Sequence, residues 1–379
     1  MPDSSASSAT PAAPITLESI ELAGDFRAMG EAFGEAYRSE TQALCALRLD
    51  AATRYAAARG QHVNERDILA LAESCLPITQ AFDPQGYDEF AGIARGAGVT
   101  EATLLAMQGL TDLRDVLSLG PPPDGEGCTS FVVAPDRSAT GQLLVGQNWD
   151  LEADNMPFIR LVRRRPTTSP ETCPETWSLT LTGCLSLIGI NAFGIAVGNT
   201  NLRMNDARVG VPYLSIIHRA LREPSRESAA SVIQSAPRAG GHYYYVAGAD
   251  EVASMIDCSA TAHASTVVAA GVAARCNHPL DGDIAARQYE PPAPSSLYRQ
   301  DRMAALLAGD ELLTIGELRS FLADREGGDN RICRDNDPPP VSTNASVIIE
   351  PATRTIHACR SQADVGVWRS ESLAPAAHP

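Results

Sequence analysis

Residues 124–151 constrain the chain most, because they carry the pattern of two strands joined by a turn. The stretch begins Asp-Gly-Glu-Gly-Cys-Thr-Ser-Phe-Val-Val and returns as Leu-Leu-Val-Gly-Gln-Asn-Trp-Asp at 143–150. The segment between these apolar runs is rich in Pro, Asp, Ser and Gly, which predicts a turn between paired strands. Cys128 is therefore expected at the very start of a strand, directly after Gly127.

A glycine before a possible nucleophile suits self-cleavage. Gly127 has no Cβ, so the Cys128 thiol can approach the preceding carbonyl with least steric hindrance. If that peptide bond broke, Cys128 would gain a terminal α-amine, a group whose ordinary pKa is about 7.7 to 8.0. One residue would then carry both the nucleophile and the general base.

These residues resemble a known family. Gly-Cys-Thr-Ser at 127–130, followed by Gly-Gln-Asn-Trp-Asp at 146–150, is similar to the penicillin acyltransferase family of N-terminal nucleophile hydrolases. A Gly-Cys pair alone carries little information, whereas the two motifs at this spacing are specific. Residues 189–197, Gly-Ile-Asn-Ala-Phe-Gly-Ile-Ala-Val, also resemble a strand pair of that family.

The order of elements read from the sequence predicts an α+β protein. Apolar periodicity predicts a first strand at 15–22 and helices at 26–58, 65–75 (ending before Pro77), 87–97 and 100–119. Strand patterns follow at 129–134, 143–149, 158–163, 177–181, 186–191, 194–200, 242–247, 252–257, 265–272, 346–350 and 355–359. Further helices are predicted at 212–221, 225–234 (capped by Ser225), 295–307 and 315–323.

Helices packed outside two antiparallel sheets fit this order. The resemblance implies the same architecture, a four-layer αββα sandwich. We accordingly divide the chain into a tail at 1–14, a helical N-terminal part at 15–127 and an αββα catalytic part at 128–379. Cleavage before Cys128 would turn the last two into a light and a heavy chain.

Composition excludes several classes of function. The formal charge of −16 argues against nucleic acid or an anionic membrane as a partner, since both need a basic surface. All 30 basic residues are arginine, and the absence of lysine removes Schiff-base chemistry, pyridoxal phosphate attachment and a Walker-type phosphate lysine. No secretory signal and no membrane-length apolar run is recognised, so we expect a cytoplasmic protein.

The cysteines predict thiols rather than disulfides or a metal site. There are nine of them, an odd number, and none has Cys-x-x-Cys spacing. No paired Cys or His spacing supports zinc, so neither a metal nor any other cofactor is predicted.

Cys128 is the predicted nucleophile. Its thiol would attack the Gly127 carbonyl, an N-to-S acyl shift would follow, and water would hydrolyse the thioester. Taken without its neighbours, a cysteine at a strand start is more often a buried small residue. The two motifs favour the nucleophile.

Three further residues are predicted at the site. The resemblance implies a site role for Asp150, which ends the second motif, and an oxyanion role for Asn277 in the Asn-His that follows a strand. Both would otherwise be turn residues. Ser130 shares a strand face with Cys128, so its hydroxyl either binds the α-amine or is an ordinary strand hydroxyl.

Substrate contacts are less constrained by the sequence. Tyr243 and Tyr245 share a strand face and either wall a pocket or pack between layers. Arg334 ends an Ile-Cys-Arg that matches the family, whereas Val-Ser-Thr-Asn-Ala-Ser at 341–346 lacks an arginine that the family has there, so the substrate is not expected to be the penicillin nucleus. The arginines at 160–165 could meet coenzyme A phosphates, or form a solvated strand end.

These features predict a self-processing cysteine amidohydrolase that cleaves a linear amide of a small N-acyl amino compound through an acyl-enzyme. The alternatives are an acyl-coenzyme A-dependent N-acyltransferase and an uncleaved, non-catalytic binding protein. The expected partners are a small amide or thioester substrate and the cleaved N-terminal chain, and association with a second copy of the protein is left open.

Overall fold

The computed structural model describes residues 14–119, 127–167, 173–337 and 341–376. Two short strands and six helices fill the first range: β1 (Ile15–Thr16), β2 (Ser19–Gly24), α1 (Phe26–Ala36), α2 (Arg38–Ala58), α3 (Glu65–Phe82), α4 (Pro84–Ala97), α5 (Glu101–Gln108) and α6 (Leu110–Val116). No helix within the described ranges is both long and apolar enough to cross a membrane. The predicted tail lies outside these ranges except for Pro14.

Two helices that the sequence predicts as continuous are each divided. The helix predicted at 26–58 breaks at Tyr37 (φ −123°, ψ 36°), whose ring lies 4.7 Å from the Arg160 guanidinium carbon. The helix predicted at 100–119 breaks at Gly109, which separates α5 from α6. Contacts with distant parts of the chain decide these breaks, and periodicity does not detect them.

Glycines bring α1 and α4 into direct backbone contact. Gly30 and Gly34 on α1 lie against Gly92 and Gly96 on α4. A Cβ added at any of the four would lie 2.0 to 2.4 Å from a backbone oxygen of the opposite helix. The glycines of α1 therefore do not interrupt the helix, because their role is to allow this close approach.

Helix α3 continues through a proline. It begins with a capping box in which Asn64 accepts from the Asp67 N–H and Asp67 accepts from the Asn64 N–H. The prediction that it ends before Pro77 is wrong, since it extends to Phe82. Its buried face spans the proline at helical spacing, so packing outweighs the lost backbone hydrogen bond; the residues of this face are Ile68, Ala72, Cys75 and Thr79.

The rest of the chain alternates strands with a few helices. The strands are β3 (Gly127–Val133), β4 (Leu144–Glu152), β5 (Ile159–Pro166), β6 (Thr176–Leu181), β7 (Ile188–Asn191), β8 (Ala196–Leu202), β9 (Gly241–Ala247), β10 (Ala253–Cys258), β11 (His263–Val268), β12 (Val272–Arg275), β13 (Asp335–Asp337), β14 (Val341–Glu350), β15 (Thr355–Arg360), β16 (Gly366–Val367) and β17 (Arg369–Ser372). The helices are α7 (Tyr213–Ala220), α8 (Arg226–Ser235), α9 (Gly282–Ala285), α10 (Pro294–Leu307) and α11 (Ile315–Leu322).

Two large sheets contain all of these strands except β1 and β16, which pair with each other in parallel. One has the order β11-β10-β9-β8-β7-β6-β5-β2, with all neighbours antiparallel except the parallel pair β5 and β2. The other has the order β12-β3-β4-β14-β15-β17, with β13 also paired to β14. Strand β2 connects the N-terminal part, residues 15–127, to the eight-stranded sheet. It pairs with β5, which lies after residue 127.

The two sheets lie face to face between helical layers. Helices α1, α7 and α8 pack on the eight-stranded sheet, and α10 and α11 pack on the other. Alternate residues of β3 serve different layers: Val132 joins the large core, while Phe131 joins a second core with Met303 and Leu318 of the outer helices. The predicted four-layer αββα fold is confirmed.

Several local predictions are also confirmed, and one strand is not. The paired strands β3 and β4 form as predicted, and Ser225 caps α8 by accepting from the Ser228 N–H. The single strand predicted at 265–272 is wrong. The chain leaves the eight-stranded sheet after β11, turns at Gly271 (φ 77°) and enters the other sheet as β12.

We expect Gly30→Ala to lower the free energy of unfolding by about 1–3 kcal/mol, because its methyl would force α1 and α4 apart. The effect runs against helix propensity, which favours alanine over glycine by about 1 kcal/mol. Gly282→Ala is the matched control, since nothing lies within 4 Å of a Cβ at that position. Equal denaturant midpoints for the two variants would contradict the packing argument.

Candidate active site

Cys128 is the second residue of β3, one of the strands on which α10 packs. In the antiparallel pair of β3 and β4, Gly127 is opposite Asp150 and Cys128 is opposite Trp149. The residue is buried, with 7% of its surface exposed. Both sequence motifs are thereby brought side by side, as their predicted strand pairing requires.

Asn277 lies directly against the Cys128 backbone. It follows β12, and its Oδ1 accepts the Cys128 N–H at 2.8 Å while its Nδ2 donates to the Asn201 carbonyl at 3.1 Å. Ser296 fixes the turn from the other side, because its hydroxyl accepts the Asn277 N–H and bonds to His278 Nδ1, each at 2.8 Å. Both atoms of the amide are therefore oriented by named partners.

The sequence did not reveal Arg299, which joins these groups. This arginine of α10 is fully buried, and its Nη1 donates to the Cys128 carbonyl and, at 3.0 Å, to the Thr129 hydroxyl. Its Nη2 donates to Asn277 Oδ1 at 3.0 Å. Nothing in the sequence distinguishes Arg299 from Arg302, the other arginine of its helix, since the partners of Arg299 on β3 and at Asn277 lie elsewhere in the chain.

Arg299 also explains the glycine before the cysteine. A Cβ at position 127 would lie 2.7 Å from Arg299 Nη2 and 2.9 Å from its guanidinium carbon. Only a residue without a side chain lets the guanidinium reach the Cys128 carbonyl. The Gly-Cys pair thus has a steric reason besides the predicted access of the thiol to the Gly127 carbonyl.

Asp150 is held at the opposite side of Gly127 by a bulge in β14. The register of β14 against β4 shifts between Thr343 and Ala345, and Thr343 donates its hydroxyl to Asp150 Oδ1 at 2.7 Å. The second carboxylate oxygen is buried without a hydrogen-bond partner among the described residues. Asp150 is therefore a buried acid with an unused acceptor oxygen beside Gly127.

Burial raises the pKa of Asp150 to about 6, although the guanidinium groups of Arg299 and Arg334 and the hydrogen bond from Thr343 act to lower it. Arg334 is itself buried and donates from Nη2 to the Asp329 carbonyl at 3.2 Å. The charge of Arg334 lies close enough to Asp150 to stabilise the carboxylate, as its effect on the pKa of Asp150 shows. A contact between Arg334 and substrate, as the sequence predicts, stays a prediction.

Ser130 points toward the eight-stranded sheet. Its hydroxyl donates to the Arg275 carbonyl at 3.1 Å and is hydrogen-bonded to Tyr243. Tyr245, on the same face of β9, lies near the Gly198 backbone. Both tyrosines are buried, which raises the pKa of each.

A small cavity adjoins the cysteine. Its volume is about 30 Å³, room for a water molecule rather than a substrate. Cys128, Asp150 and Asn277 all line it, and other lining residues include Arg48, Trp149, Tyr213 and His242. Tyr243 and Tyr245 do not line this cavity. Strand β9 instead contributes His242, which precedes Tyr243 and points to the opposite face of the strand.

His242 belongs to a buried network that sequence reasoning missed. Its Nε2 lies 2.8 Å from Asp112 Oδ1, and Asp112 Oδ2 accepts the Tyr213 N–H at 2.8 Å. The imidazole stacks on the Tyr213 ring with centroids 4.5 Å apart. The network fixes one wall of the cavity, and its members come from α6, α7 and β9.

The arginines of β5 are engaged with acids. Arg164 pairs with Glu89 at 2.6 Å with both side chains buried, and Arg160 lies 3.3 Å from Glu18. Arg163 pairs with Glu175 at 2.8 Å. Two of these arginines are buried, so the expectation of a solvated strand end is wrong for them, and the described part of this strand offers no cluster of unpaired cations for phosphates.

A metal centre is not evident in the described ranges. No group of three or more His, Cys, Asp or Glu side chains there is arranged to hold an ion.

One family model matches the sequence. It is described as acyl-coenzyme A:6-aminopenicillanic acid acyl-transferase, and it matches residues 137–364, more than half of the chain. The match includes Asp150, Asn277 and Arg299 and begins after Cys128. No curated protein is significantly similar in sequence.

Similar solved structures include two forms of one hydrolase. A mutant of the conjugated bile acid hydrolase from Clostridium perfringens is 9% identical with a TM-score of 0.42, covering 66% of this chain and 99% of that one. A second variant of that enzyme is 12% identical with a TM-score of 0.43 and the same coverage. Penicillin V acylase from Agrobacterium tumefaciens is 11% identical with a TM-score of 0.39, covering 62% and 83%.

We expect Asp150 to make stability depend on pH. Its pKa is raised in the folded chain from an ordinary 3.8 to about 6, so folding favours the protonated acid. The stabilisation is complete below pH about 4 and is lost as pH rises through about 6, on the order of 3 kcal/mol in all. Urea unfolding of Cys128→Ala and of Cys128→Ala with Asp150→Asn, both at pH 4 and pH 7, measures it.

Asp150→Asn removes the pH-dependent group, so it should raise the free energy of unfolding of the Cys128→Ala chain by more at pH 7 than at pH 4. Asp88→Asn, at an acid whose side chain is 57% exposed, is the control and should show little pH-dependent difference. The same difference between the two chains at both pH values would contradict the raised pKa.

Proposed function

The chain belongs to the acyl-coenzyme A:6-aminopenicillanic acid acyl-transferase family, and on that basis we propose that it is a self-processing cysteine amidohydrolase. The family is one of N-terminal nucleophile hydrolases and acyltransferases. Within it, we propose that this chain cleaves linear amides of small N-acyl amino compounds. Cys128 is the proposed nucleophile.

One arrangement carries the proposal. The Cys128 N–H is held by Asn277 Oδ1, and Arg299 donates both to that oxygen and to the Cys128 carbonyl. A merely structural strand end does not need its first peptide fixed by the half-buried amide of Asn277 and the buried guanidinium of Arg299. An amide nitrogen that must leave as an amine, and then stay in place as a base, does need it.

The proposed self-cleavage begins with the thiol of Cys128. Its proton passes to the unused carboxylate oxygen of Asp150, and its sulfur bonds to the Gly127 carbonyl carbon. The bond from that carbon to the Cys128 nitrogen then breaks, and the nitrogen takes the proton from Asp150 to become an amine that Asn277 Oδ1 already contacts. Water hydrolyses the resulting thioester, which releases the Gly127 carboxylate and restores the thiol.

Turnover of substrate uses the same groups. The new α-amine accepts the thiol proton as sulfur attacks the substrate amide, and it later returns the proton to the leaving amine. Asn277 Nδ2 donates one hydrogen to the Asn201 carbonyl, and its second hydrogen is the proposed oxyanion donor. Ser130 stays a candidate relay, with hydrogen bonds to the Arg275 carbonyl and to Tyr243.

Hydrolysis and acyl transfer differ only in the acceptor. The arginines of β5 are paired with acids, which supports hydrolysis over use of a coenzyme A thioester. Water also needs no second binding site. Transfer remains the alternative that the family name suggests, and acceleration of thioester turnover by an added amine would identify it.

The proposed products are residues 1–127 and 128–379. The pairing of β2 with β5 supports their remaining together, since six residue pairs of one sheet join them. The light chain also contributes Arg48 and Thr111 to the cavity beside Cys128. In this proposal the N-terminal chain is a permanent partner of the catalytic part.

We expect intact mass spectrometry to find two fragments, divided between Gly127 and Cys128, in place of one species of 40.1 kDa. Cys128→Ala should remain a single chain, because no other residue supplies the attacking sulfur at that bond. Cys276→Ala removes a neighbouring buried thiol and is the matched control that should still cleave.

A wild-type chain that stays intact and has no turnover of N-acyl amino compounds would overturn the proposal in favour of a non-catalytic binding protein. Cleavage of Cys128→Ala at the same bond would instead show that another residue is the nucleophile.

We expect Gly127→Ala to slow self-cleavage although every reacting group is retained. The methyl would lie 2.7 Å from Arg299 Nη2, so the guanidinium must leave the Cys128 carbonyl. A displacement of about 1 Å at a reacting centre costs about 10²-fold in rate. A time course of fragment appearance after translation measures the effect, with Gly282→Ala as control, and cleavage at the wild-type rate would contradict the role given to Arg299.

A further inference from the structure

Arg48 lines the cavity that contains Cys128. It lies on α2 and is 6% exposed, and its side chain also lines a smaller cavity of about 10 Å³ that adjoins the first. The two cavities share Arg48, Thr111 and Leu151. A positive charge is thus built into the wall next to the proposed nucleophile.

The hydrogen bonds of this guanidinium are few and long. Nε donates to the Met107 carbonyl at 3.4 Å and Nη1 donates to Asn155 Oδ1 at 3.3 Å, and both acceptors are neutral. No hydrogen bond within the described ranges involves Nη2. Nη2 is not completely buried, and Arg48 lines both cavities, so this nitrogen is open to them.

Arg48 lacks a counter-ion among the described residues, where no carboxylate lies within 4.0 Å of it. Arg164 shows the contrast, with Glu89 at 2.6 Å. A buried cation without a paired anion is costly, and the usual solution in a protein is an ion pair. Folding alone gives no reason to keep a guanidinium at this position.

The nearby acids do not fill that role. Burial raises the pKa of Glu152, although Arg48 acts to lower it. No Glu152 oxygen lies within 4.0 Å of a guanidinium nitrogen of Arg48, so the two are not paired directly. Glu152 Oε1 is buried without a hydrogen-bond partner. Asp112 bonds to His242, and Asp150 bonds to Thr343 and interacts with Arg299 and Arg334.

We propose that Arg48 binds a carboxylate of the substrate, so that the preferred substrates are N-acyl compounds that carry one anionic group. A carboxylate matches the planar guanidinium with two parallel hydrogen bonds and supplies the missing counter-ion. That the bound anion is a substrate rests on the proposed function, whereas the anion site itself rests on the burial and the partners of Arg48 alone.

The test compares matched acids and amides on the full-length wild-type chain. N-hexanoyl-glycine against N-hexanoyl-glycinamide places the carboxylate on the amine side, and the monomethylamide of adipic acid against N-methylhexanamide places it on the acyl side. We expect the wild type to favour the acid of at least one pair by about tenfold to hundredfold in kcat/KM and in Kd.

Arg48→Met should lose that preference, so that the ratio of kcat/KM and of Kd between acid and amide falls to about one. Arg48→Lys should keep part of the preference, because one charge remains. Arg54→Met is the control: Arg54 borders the smaller cavity, but it is 56% exposed and paired with Asp50 at 2.8 Å, so its loss should change nothing.

Calorimetric binding separates this proposal from the amidase. An intact, inactive chain that binds an acid more tightly than its amide, with the difference lost in Arg48→Met, would support the anion-binding role of Arg48 and overturn the proposed amidase activity. A cleaved, active chain that does not distinguish acids from amides would overturn only the role of Arg48. Equal binding of both probes, or binding of neither, would also overturn the role of Arg48.

A folding control accompanies the variants. Arg48→Met should leave the urea midpoint unchanged or raise it, because no ion pair is broken, whereas Arg164→Met should lower it by leaving Glu89 buried without its partner. If the midpoint of Arg48→Met falls as far as that of Arg164→Met, Arg48 is structural and the proposal fails.

Discussion

The guanidinium of Arg299 is the interaction on which the rest of the site depends. It reaches from an outer helix into the seven-stranded sheet and donates to three oxygens there: the Cys128 carbonyl and the Thr129 hydroxyl of β3, and Asn277 Oδ1 in the turn after β12. These contacts satisfy a cation that is completely buried. Losing any one of them would leave part of a buried guanidinium without a hydrogen-bond acceptor, which is costly. The first residues of β3 and the amide of Asn277 are consequently held as one unit.

That unit lies at the crossing between the two sheets. The chain passes from β11 in one sheet to β12 in the other, and this step carries Asn277 to the start of β3. The Asn201 carbonyl, which orients the amide, belongs to the sheet the chain has just left. Residues far apart in sequence therefore meet because a single connection changes layers.

The features predicted from sequence are those that local chemistry decides. Alternating apolar residues and the turn between them define β3 and β4, and Ser225 caps α8 for a reason contained in four residues. Long-range packing decides the others. Pro77 stays inside a helix because the helix face around it is buried, and Arg299 becomes a site residue only when α10 packs on β3.

The tyrosines of β9 show the same limit more sharply. Period-two alternation correctly assigns Tyr243 and Tyr245 to one face, but it does not say which face meets the cavity. The register of β9 against β8 sets that choice and turns His242 toward Cys128, so a displacement of one residue separates the predicted pocket wall from the observed one.

The pairing of β2 with β5 has a consequence for a molecule cut at residue 127. Each fragment would hold strands of one continuous sheet, and α1 would remain locked to the fold through β2. Losing the covalent link would leave the native contacts intact but make unfolding a dissociation. Its melting temperature would then rise with protein concentration, and reassembly after dilution would be second order in the two fragments.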